Sequence, residues 1–310
     1  KYMCTISIAM TTYNGGKYLG EQLESLVYQT RQPDEIIIVD DCSKDNTTDI
    51  VRKFQKKHSF IKLIVNEKNV GVNGNFVKAL ENSKGDYIIF CDQDDIWKKE
   101  KVQTLFHKIK EIEVKGTPTI VSSAATCVNN NMEVVGRIGP LKDNSDFRNT
   151  VLKHYSQGCT MILNRECIKY ASLIPSYNNK TKICFDYVLG LIVAFVGIKY
   201  DLSDELMYYR RHGDNVTAAS NSLQKTLKER LLEKFQPNIV HHDFIATDLL
   251  VFDFLKSKGY NELPVLEDIV KIHRLNFCNK LTVALKAKYL SLSKRFSLCR
   301  NIVINEILTK

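Results

Sequence analysis

Four consecutive polar residues, Asp92-Gln93-Asp94-Asp95, directly follow the apolar segment YIIFC. Carboxylates two residues apart at a strand end offer the oxygen ligands that Mg²⁺ and Mn²⁺ prefer, and these ions commonly take substrate phosphates as further ligands. An isolated pair with this spacing would be interpreted as a charged turn. The apolar strand before it, together with two similar clusters elsewhere, favours a metal site that would hold a nucleoside diphosphate.

Those two clusters also follow apolar segments. Asp40-Asp41 comes after EIIIV, and a carboxylate there has acceptor oxygens for the N–H of a base or for a ribose hydroxyl. The alternative is capping of the helix that begins near Asn46, so we expect one Asp to brace the loop and the other to bind. Thr11-Thr12-Tyr13-Asn14 ends the first apolar segment, and Tyr13 offers a flat face on which a base could stack.

The elements that would position these clusters alternate between two hydrophobic periods. Nearly continuous apolar segments predict buried strands at Thr5–Thr12, Glu35–Val39, Phe60–Val65 and Tyr87–Cys91. Periodic apolar residues between them predict helices at Tyr18–Tyr28, about Asn46–Lys57 and about Asn73–Ser83. This alternation predicts a doubly wound α/β domain, in which ligands bind at the carboxyl ends of the strands. All three polar clusters fall at that edge.

The second half of the chain is less regular. Thr119–Thr126 and Gly158–Leu163 are predicted strands, and Ile198–Asp201 is a predicted short strand. The apolar run Val188–Ile198 is shorter than the roughly 20 residues that cross a bilayer, so we interpret it as part of a buried helix over Ile183–Val196. Helical patterns dominate from Leu223 onward.

The composition predicts a soluble globular protein with a large core, since the 310 residues are 44% hydrophobic and 25% charged. The net charge is +9, and residues 221–310 hold 15 basic against 9 acidic residues. The nine cysteines contain no CxxC pair and the first residues show no secretory signal, which predicts reduced thiols and a cytoplasmic location. Without any RNA-recognition or helix-turn-helix signature, we expect no nucleic-acid partner.

Taken in order, the motifs resemble family 2 glycosyltransferases of the GT-A fold over about residues 3–218. The matching segments are MTTYNG, EIIIVDDCSKD, NVGVNGNF, GDYIIFCDQDDIW, QGCTMILN, FDYVLG and YYRRHGDNV. The DQDDIW block and the later YRRH segment are most similar to bacterial rhamnosyltransferase-like members that build polysaccharides. The resemblance implies an inverting transfer from a dTDP- or UDP-linked sugar to a hydroxyl of a glycan or lipid-linked saccharide, with Mn²⁺ or Mg²⁺ as cofactor.

The resemblance also implies roles for individual residues on the donor side. Thr11, Tyr13 and Asp41 match positions that hold the nucleobase. Asp92 matches a carboxylate near ribose and metal, Asp94 matches the direct metal ligand, and His212 matches a position that completes the metal site. The remaining residues expected near the donor are Asn14, Asp40, Asn69, Gly71, Asn75, Gln93, Arg210 and Arg211. For the two arginines and His212, the alternative is a surface turn in which they face water.

On the acceptor side, Asp186 in FDY matches the base that takes the proton of the acceptor hydroxyl, and its alternative role is to cap the helix that follows. The residues expected to contact the acceptor are Asp95, Trp97, Gly158 and Cys159. Cys159 stands where many relatives have a second glycine, and Trp97 has the alternative of packing against the next helix.

We expect a catalytic domain over residues 1–218, with a donor half at about 1–97 and an acceptor half at about 98–218, and a basic helical region over 219–310. Basic and apolar residues interleave around Lys286–Arg300. This pattern indicates either peripheral contact with the inner face of a membrane or ordinary packing on the catalytic domain. Two competing functions remain, a nucleotidyltransferase and a non-catalytic glycan-binding protein.

Overall fold

The computed structural model describes residues 4–145, 157–173, 184–213 and 251–260. The chain divides into two compact units, one formed by residues 1–180 with 184–221 and the other by residues 181–183 with 222–310. The described part of the second unit contains a helix at residues 251–257. The basic segment around Lys286–Arg300 lies outside the described residues, and the domain bounds expected from the sequence stay a prediction.

Four parallel strands form one half of the sheet of the first unit. They are β1 (Ile6–Thr12), β2 (Glu35–Asp40), β3 (Ile61–Val65) and β4 (Tyr87–Cys91), in the spatial order β3-β2-β1-β4. Every residue of β1, β2 and β4 is buried, as expected for strands covered by helices on both faces. The register sets Thr12 opposite Asp40, which brings the carboxyl ends of β1 and β2 together.

Helices cover both faces of these strands. Alternate residues of β1 enter different apolar clusters: Ile8 packs in one cluster and Ala9 in the other. The first cluster takes its helical residues from α1 (Leu19–Val27), α2 (Thr47–Gln55) and α4 (Lys101–Ile112). The second takes them from α3 (Gly71–Asn82) and α5 (Phe185–Val196). Each buried Leu or Ile contributes about 1.5–3 kcal/mol, so these clusters hold the doubly wound arrangement together.

The other half of the sheet is mixed in direction and continues the order as β4-β8-β6-β9-β5, with β7 paired to β6. Its strands are β5 (Ile96–Trp97), β6 (Thr119–Val128), β7 (Val134–Ile138), β8 (Met161–Asn164) and β9 (Ile198–Arg210). β6 and β9 are parallel, whereas β8 is antiparallel to both β4 and β6. The α/β fold predicted from the sequence is confirmed.

Two elements differ from the prediction. The strand expected at Gly158–Leu163 begins with a 3-10 turn at Gly158–Thr160, and β8 itself starts at Met161. The strand expected to end at Asp201 continues to Arg210, because β9 pairs with β6 on one side and with β5 on the other. This extension carries the polar segment after β9 back to the acidic motif. In the described ranges, none of the helices combines the length and apolar character required to span a bilayer.

Candidate active site

The acidic motif lies at the carboxyl end of β4, between β1 and β8 in the sheet. His212, just beyond the end of β9, contacts it: His212 Nε2 is 2.9 Å from Asp94 Oδ2. The ring of Tyr18 supports this imidazole, with the two ring centroids 4.8 Å apart. Two of the three expected metal ligands are therefore in direct contact.

The chemistry of Asp92, Asp94 and His212 fits a divalent ion. Two carboxylates and an imidazole suit Mn²⁺, and the carboxylate oxygens also suit Mg²⁺. Burial and the neighbouring charges of Asp94 and Asp186 raise the pKa of Asp92 to about 7. A bound cation would offset this concentration of like charge.

A second group of three side chains lies close to the first. The ligand atoms of Asp92, Asp95 and Cys159 all lie within 4.8 Å of one another. Burial raises the pKa of Asp95 and of the Cys159 thiol well above their ordinary values. Because a thiol is a soft ligand that Mg²⁺ and Mn²⁺ do not favour, the set with Asp94 and His212 suits these ions better.

Three residues expected to contact an acceptor lie in the interior. Asp95 and Cys159 are each 1% exposed and Trp97 is 3% exposed. Trp97 packs in the apolar cluster on the α1 face and lies under the ammonium group of Lys101. Trp97 thus makes the packing contacts of its alternative role, and Asp95 and Cys159 lie beneath the acidic motif, so contact of these three residues with an acceptor stays a prediction.

Asp186 occupies the first turn of α5 and is held from two sides. Gly158 N donates a 2.7 Å hydrogen bond to Asp186 Oδ2, and Tyr187 N donates a 2.8 Å bond to Asp186 Oδ1. The start of the helix is fixed by Phe185, whose N–H donates to Asn73 Oδ1 on α3 at 3.2 Å. Burial raises the pKa of Asp186 to about 6, in the range where a carboxylate is an effective base near neutral pH.

The loop after β1 presents Tyr13 to solvent, and this side chain is 49% exposed. Gln93 holds the loop through a reciprocal pair, because Tyr13 N donates to Gln93 Oε1 at 2.8 Å and Gln93 Nε2 donates to Tyr13 O at 3.1 Å. Gly15 is required for this approach, since a Cβ there would lie 2.2 Å from Gln93 Oε1. The amide of Gln93 thus fixes the backbone that presents the Tyr13 ring, while Thr11 is buried at the end of β1.

Asn14 and Asp40 brace this loop against the one after β2. Asn14 has a left-handed backbone with φ of 46°, and its Oδ1 accepts a 2.8 Å hydrogen bond from Lys44 N. The Asp40 carboxylate is fully buried and accepts bonds from Thr12 Oγ1 and from both N and Oγ of Ser43. Asp40 is the bracing member of the Asp40-Asp41 pair.

Asp41 follows β2, and its carboxylate lies against the N-terminus of α3. Its carboxylate accepts hydrogen bonds of 2.9 Å from Asn66 Nδ2, Val70 N and Gly71 N. The helix dipole favours a negative charge at this position. An ionised carboxylate offers about four acceptor sites, so these three bonds leave one, on a side chain that is 3% exposed.

The expected donor-side residues of the segment NVGVNGNF mainly shape the backbone of that segment. Asn69 Oδ1 accepts a bond from Gly71 N, and Gly71 has the positive φ of 77° that favours glycine. Asn75 is buried and donates to Val39 O at 2.8 Å. Asn66, which the sequence analysis missed, joins Asn75 to Asp41. The signal in the sequence was a polar residue directly after the apolar segment that forms β3.

The buried side chain of Arg210 holds the backbone of the acidic motif. Its Nε donates to Asp94 O at 2.9 Å, its NH2 group pairs with Glu21 at 2.5 Å, and its guanidinium lies 4.7 Å from the Tyr18 ring centroid. Arg211 lies beside Cys127, where its charge opposes the effect of burial, which raises the pKa of that thiol. The sequence analysis missed Tyr18 and Glu21, because their contacts depend on the full length of β9.

Lys101 was also missed. Its side chain is fully buried beneath the motif, and its charge interacts with those of Asp92 and Asp95. The sequence did contain a signal, since Lys101 shares the apolar stripe of α4 with Leu105 and Ile109 at helical spacing.

The molecule is thus an α/β protein with a carboxylate-rich site at the carboxyl ends of its strands, where sheets of this kind bind ligands. The profile of the family described as Glycosyl transferase family 2 matches residues 7–169, and the chain belongs to that family.

Two curated relatives align over most of this chain. WfaP of Escherichia coli, a UDP-Glc:alpha-D-GlcNAc-diphosphoundecaprenol beta-1,3-glucosyltransferase, is 30% identical over 78% of this chain and 90% of its own length. The dTDP-rhamnosyl transferase RfbG of Shigella flexneri is 29% identical over 71% of this chain and 77% of its own length. Other curated glycosyltransferases align over 39% and 35% of their lengths.

The crystal structure of TarS residues 1–349 from S. aureus in complex with UDP-GlcNAc has a similar fold. The TM-score is 0.59 at 19% sequence identity, and the match covers 99% of this chain and 92% of that one. The fold is therefore that of the GT-A glycosyltransferases, as the sequence motifs implied.

Proposed function

We propose that this protein transfers a sugar, with inversion, from a dTDP- or UDP-linked donor to a hydroxyl of a growing surface polysaccharide or lipid-linked oligosaccharide. The observation that carries this proposal is the geometry of Asp186. Two backbone N–H groups hold both of its oxygens, and burial raises its pKa to about 6 beside the acidic motif. A carboxylate fixed in this way suits the removal of a proton from an acceptor hydroxyl.

In the proposed reaction, the Asp186 carboxylate accepts the proton of the acceptor hydroxyl as that oxygen bonds to the anomeric carbon and the nucleoside diphosphate departs. Asp92, Asp94 and His212 would hold Mn²⁺ or Mg²⁺, which when bound supplies positive charge to the departing diphosphate. Arg210 keeps Asp94 in place through the hydrogen bond from its buried guanidinium, and the tilted ring of Tyr18 contacts His212.

The names of the relatives support a pyrimidine nucleotide donor. RfbG is a dTDP-rhamnosyl transferase, WfaP uses UDP-Glc, and the TarS structure contains UDP-GlcNAc. In this chain the exposed Tyr13 ring and the remaining acceptor site of Asp41 would bind the base, by stacking and by a hydrogen bond. The diphosphoundecaprenol in the name of WfaP supports a lipid-linked saccharide as acceptor.

The test is a panel of donors offered to the purified protein: dTDP-rhamnose, UDP-glucose, UDP-galactose and UDP-N-acetylhexosamines, each with Mn²⁺ or with EDTA. The readout is release of nucleoside diphosphate. We expect metal-dependent release from one donor, lost in Asp186→Asn and kept in Asp49→Asn, a matched change of an exposed residue on α2.

No release from any donor, together with no binding of UDP or dTDP by calorimetry, would overturn the proposal in favour of a non-catalytic glycan-binding protein. Pyrophosphate release from a nucleoside triphosphate would instead indicate a nucleotidyltransferase.

We propose in addition that residues 1–218 are the catalytic domain, and that the basic residues 219–310 hold the enzyme at the cytoplasmic face of a membrane that carries its acceptor. Anionic lipids attract basic segments and neutral lipids do not. The full chain should therefore sediment with vesicles that contain phosphatidylglycerol and stay in solution with phosphatidylcholine alone. Equal sedimentation with both would contradict this role.

A further inference from the structure

Lys101 is a fully buried cation in an unfavourable place. It is the first residue of α4, and its side chain is 0% exposed. Burying an ammonium group costs free energy, and the N-terminal end of a helix dipole repels positive charge. Burial lowers the pKa of Lys101 to about 8. The cost of burial and the repulsion by the helix dipole must both be offset by the contacts that the ammonium group makes.

These contacts join three separate segments. Lys101 Nζ donates to Cys159 O at 2.5 Å and to Met207 Sδ at 3.1 Å, and it lies 3.7 Å from the centroid of the Trp97 ring. Trp97 and Met207 pair across β5 and β9, whereas Cys159 belongs to the 3-10 turn before β8. The ammonium group therefore ties that turn to the β5–β9 edge of the sheet.

The same turn holds the proposed base. Gly158 directly precedes Cys159, and its N–H donates to Asp186 Oδ2 at 2.7 Å. The turn is short and closed on itself, since Thr160 N and Thr160 Oγ1 both donate to Gln157 O. A shift of the Cys159 carbonyl would therefore displace the Gly158 N–H as well.

The charge of Lys101 also has a partner in this interior. The neighbouring acidic groups raise the pKa of the lysine against the effect of burial, in the order Cys159, Cys91, Asp95 and Asp92. Asp95 Oδ1 accepts a hydrogen bond from Arg210 N, whereas Asp95 Oδ2 is buried and has no hydrogen-bond partner within the described ranges. The charge of the ammonium group lowers the pKa of this buried carboxyl group, against the effect of burial.

We propose that Lys101 is a positioning residue for Asp186: its ammonium group fixes the Gly158–Thr160 turn, and the turn in turn fixes the Asp186 carboxylate through the Gly158 N–H. The catalytic meaning of this inference rests on the proposed function, whereas the physical link between Lys101 and Asp186 can be measured without any turnover.

The experiment is a titration of the Asp186 carboxyl carbon by ¹³C NMR, in protein labelled at aspartate and free of metal and donor. The resonance is assigned by its loss in Asp186→Asn. In Lys101→Met, which keeps the length and removes the charge and the donors, the Gly158 hydrogen bond weakens. Because that bond lowers the pKa of Asp186, we expect its midpoint to rise by about one pH unit. Asp92 and Cys159 interact electrostatically with Asp186. The Asp92 carboxyl resonance and the reactivity of the Cys159 thiol are therefore followed in parallel.

The matched control is Lys99→Met, the same change at an exposed side chain two residues earlier, which should leave the midpoint unchanged. With the cognate donor, Lys101→Met should lose at least about tenfold in kcat with little change in KM. The acid limb of its pH–rate profile should move with the NMR midpoint of Asp186. Lys101→Arg, which keeps a charged donor, should recover part of this loss.

An unchanged Asp186 midpoint in folded Lys101→Met would overturn the inference. If Lys101→Met does not fold, the same titration is made on Lys101→Leu, which also removes both the charge and the donors, and an unchanged midpoint there overturns it equally. A shifted midpoint in a protein that turns over no donor would leave the positioning link in place and remove the proposed function instead.

Discussion

Gly158 lies against Asp186, and the neighbouring Phe185 ring leaves no room for a side chain at position 158. A Cβ built on Gly158 would lie 3.3 Å from Asp186 Cβ and 2.7 Å from Phe185 Cζ. The close approach lets the Gly158 N–H reach Asp186 Oδ2. It makes the glycine a condition for the orientation of the carboxylate, although Gly158 itself has no group that could take part in catalysis.

Gly158→Ala should therefore lower both stability and activity. Overpacking against the start of α5 costs about 1–3 kcal/mol, measured as a loss in the free energy of unfolding by urea. We expect kcat to fall at least about tenfold as Asp186 is displaced. Gly20→Ala is the matched control, because a Cβ there meets nothing within 4 Å. Since Gly20 lies within α1, alanine there should raise the free energy of unfolding by about 0.5–1 kcal/mol. Wild-type kcat in Gly158→Ala would show that the orientation of Asp186 is unimportant.

The raised pKa of Asp186 predicts the acid side of the pH–rate profile. A general base works only when unprotonated, so kcat/KM should fall tenfold per pH unit below about 6 and be flat above it. The limb lies above the ordinary aspartate value of 3.8 because burial disfavours the charged form. Asp186→Asn should lose about 100-fold or more while UDP or dTDP still binds. A limb near pH 4 in the wild type would contradict the assignment of this residue.

The contact between Asp94 and His212 predicts a shared loss of metal binding. Asp94→Ala should abolish metal-dependent turnover, and His212→Ala should weaken Mn²⁺ binding at least about tenfold, measured by calorimetry on the nucleotide complex. The change Asp49→Ala, on the exposed side of α2, should leave Mn²⁺ affinity unaltered. Full activity of Asp94→Ala at low Mn²⁺ would remove both residues from the metal site.

The three N–H donors that converge on Asp41 predict the outcome of Asp41→Asn. The amide places an NH₂ group against donors of Asn66, Val70 and Gly71, which leaves buried polar groups unpaired. We expect a loss of about 1–3 kcal/mol in stability and at least tenfold weaker binding of UDP or dTDP. Asp204→Asn, an exposed position on β9, serves as the control. Unchanged nucleotide affinity would assign Asp41 to capping alone.

Much of the parallel half of the sheet was predictable, because its signal is local. The apolar segments of β1, β2 and β4 and the stripe on α1 bury the residues that their periods predict. The length of β9 was not predictable in this way. Its middle residues are polar, and the strand continues because β5 and β6 supply backbone partners from distant parts of the chain.

The sequence by itself determined the α/β alternation, the family and the set of polar residues that gather at the carboxyl ends of the strands, because hydrophobic periods and motif order are properties of the chain alone. Only the tertiary structure decided which of those residues face solvent. Asp95, Trp97 and Cys159 are buried, and Lys101 lies beneath the motif. The Asp40 carboxylate is buried as well and accepts hydrogen bonds from Thr12 and Ser43. The physical reason is that burial and hydrogen-bond partners are set by segments far apart in sequence, so local patterns carry no record of them.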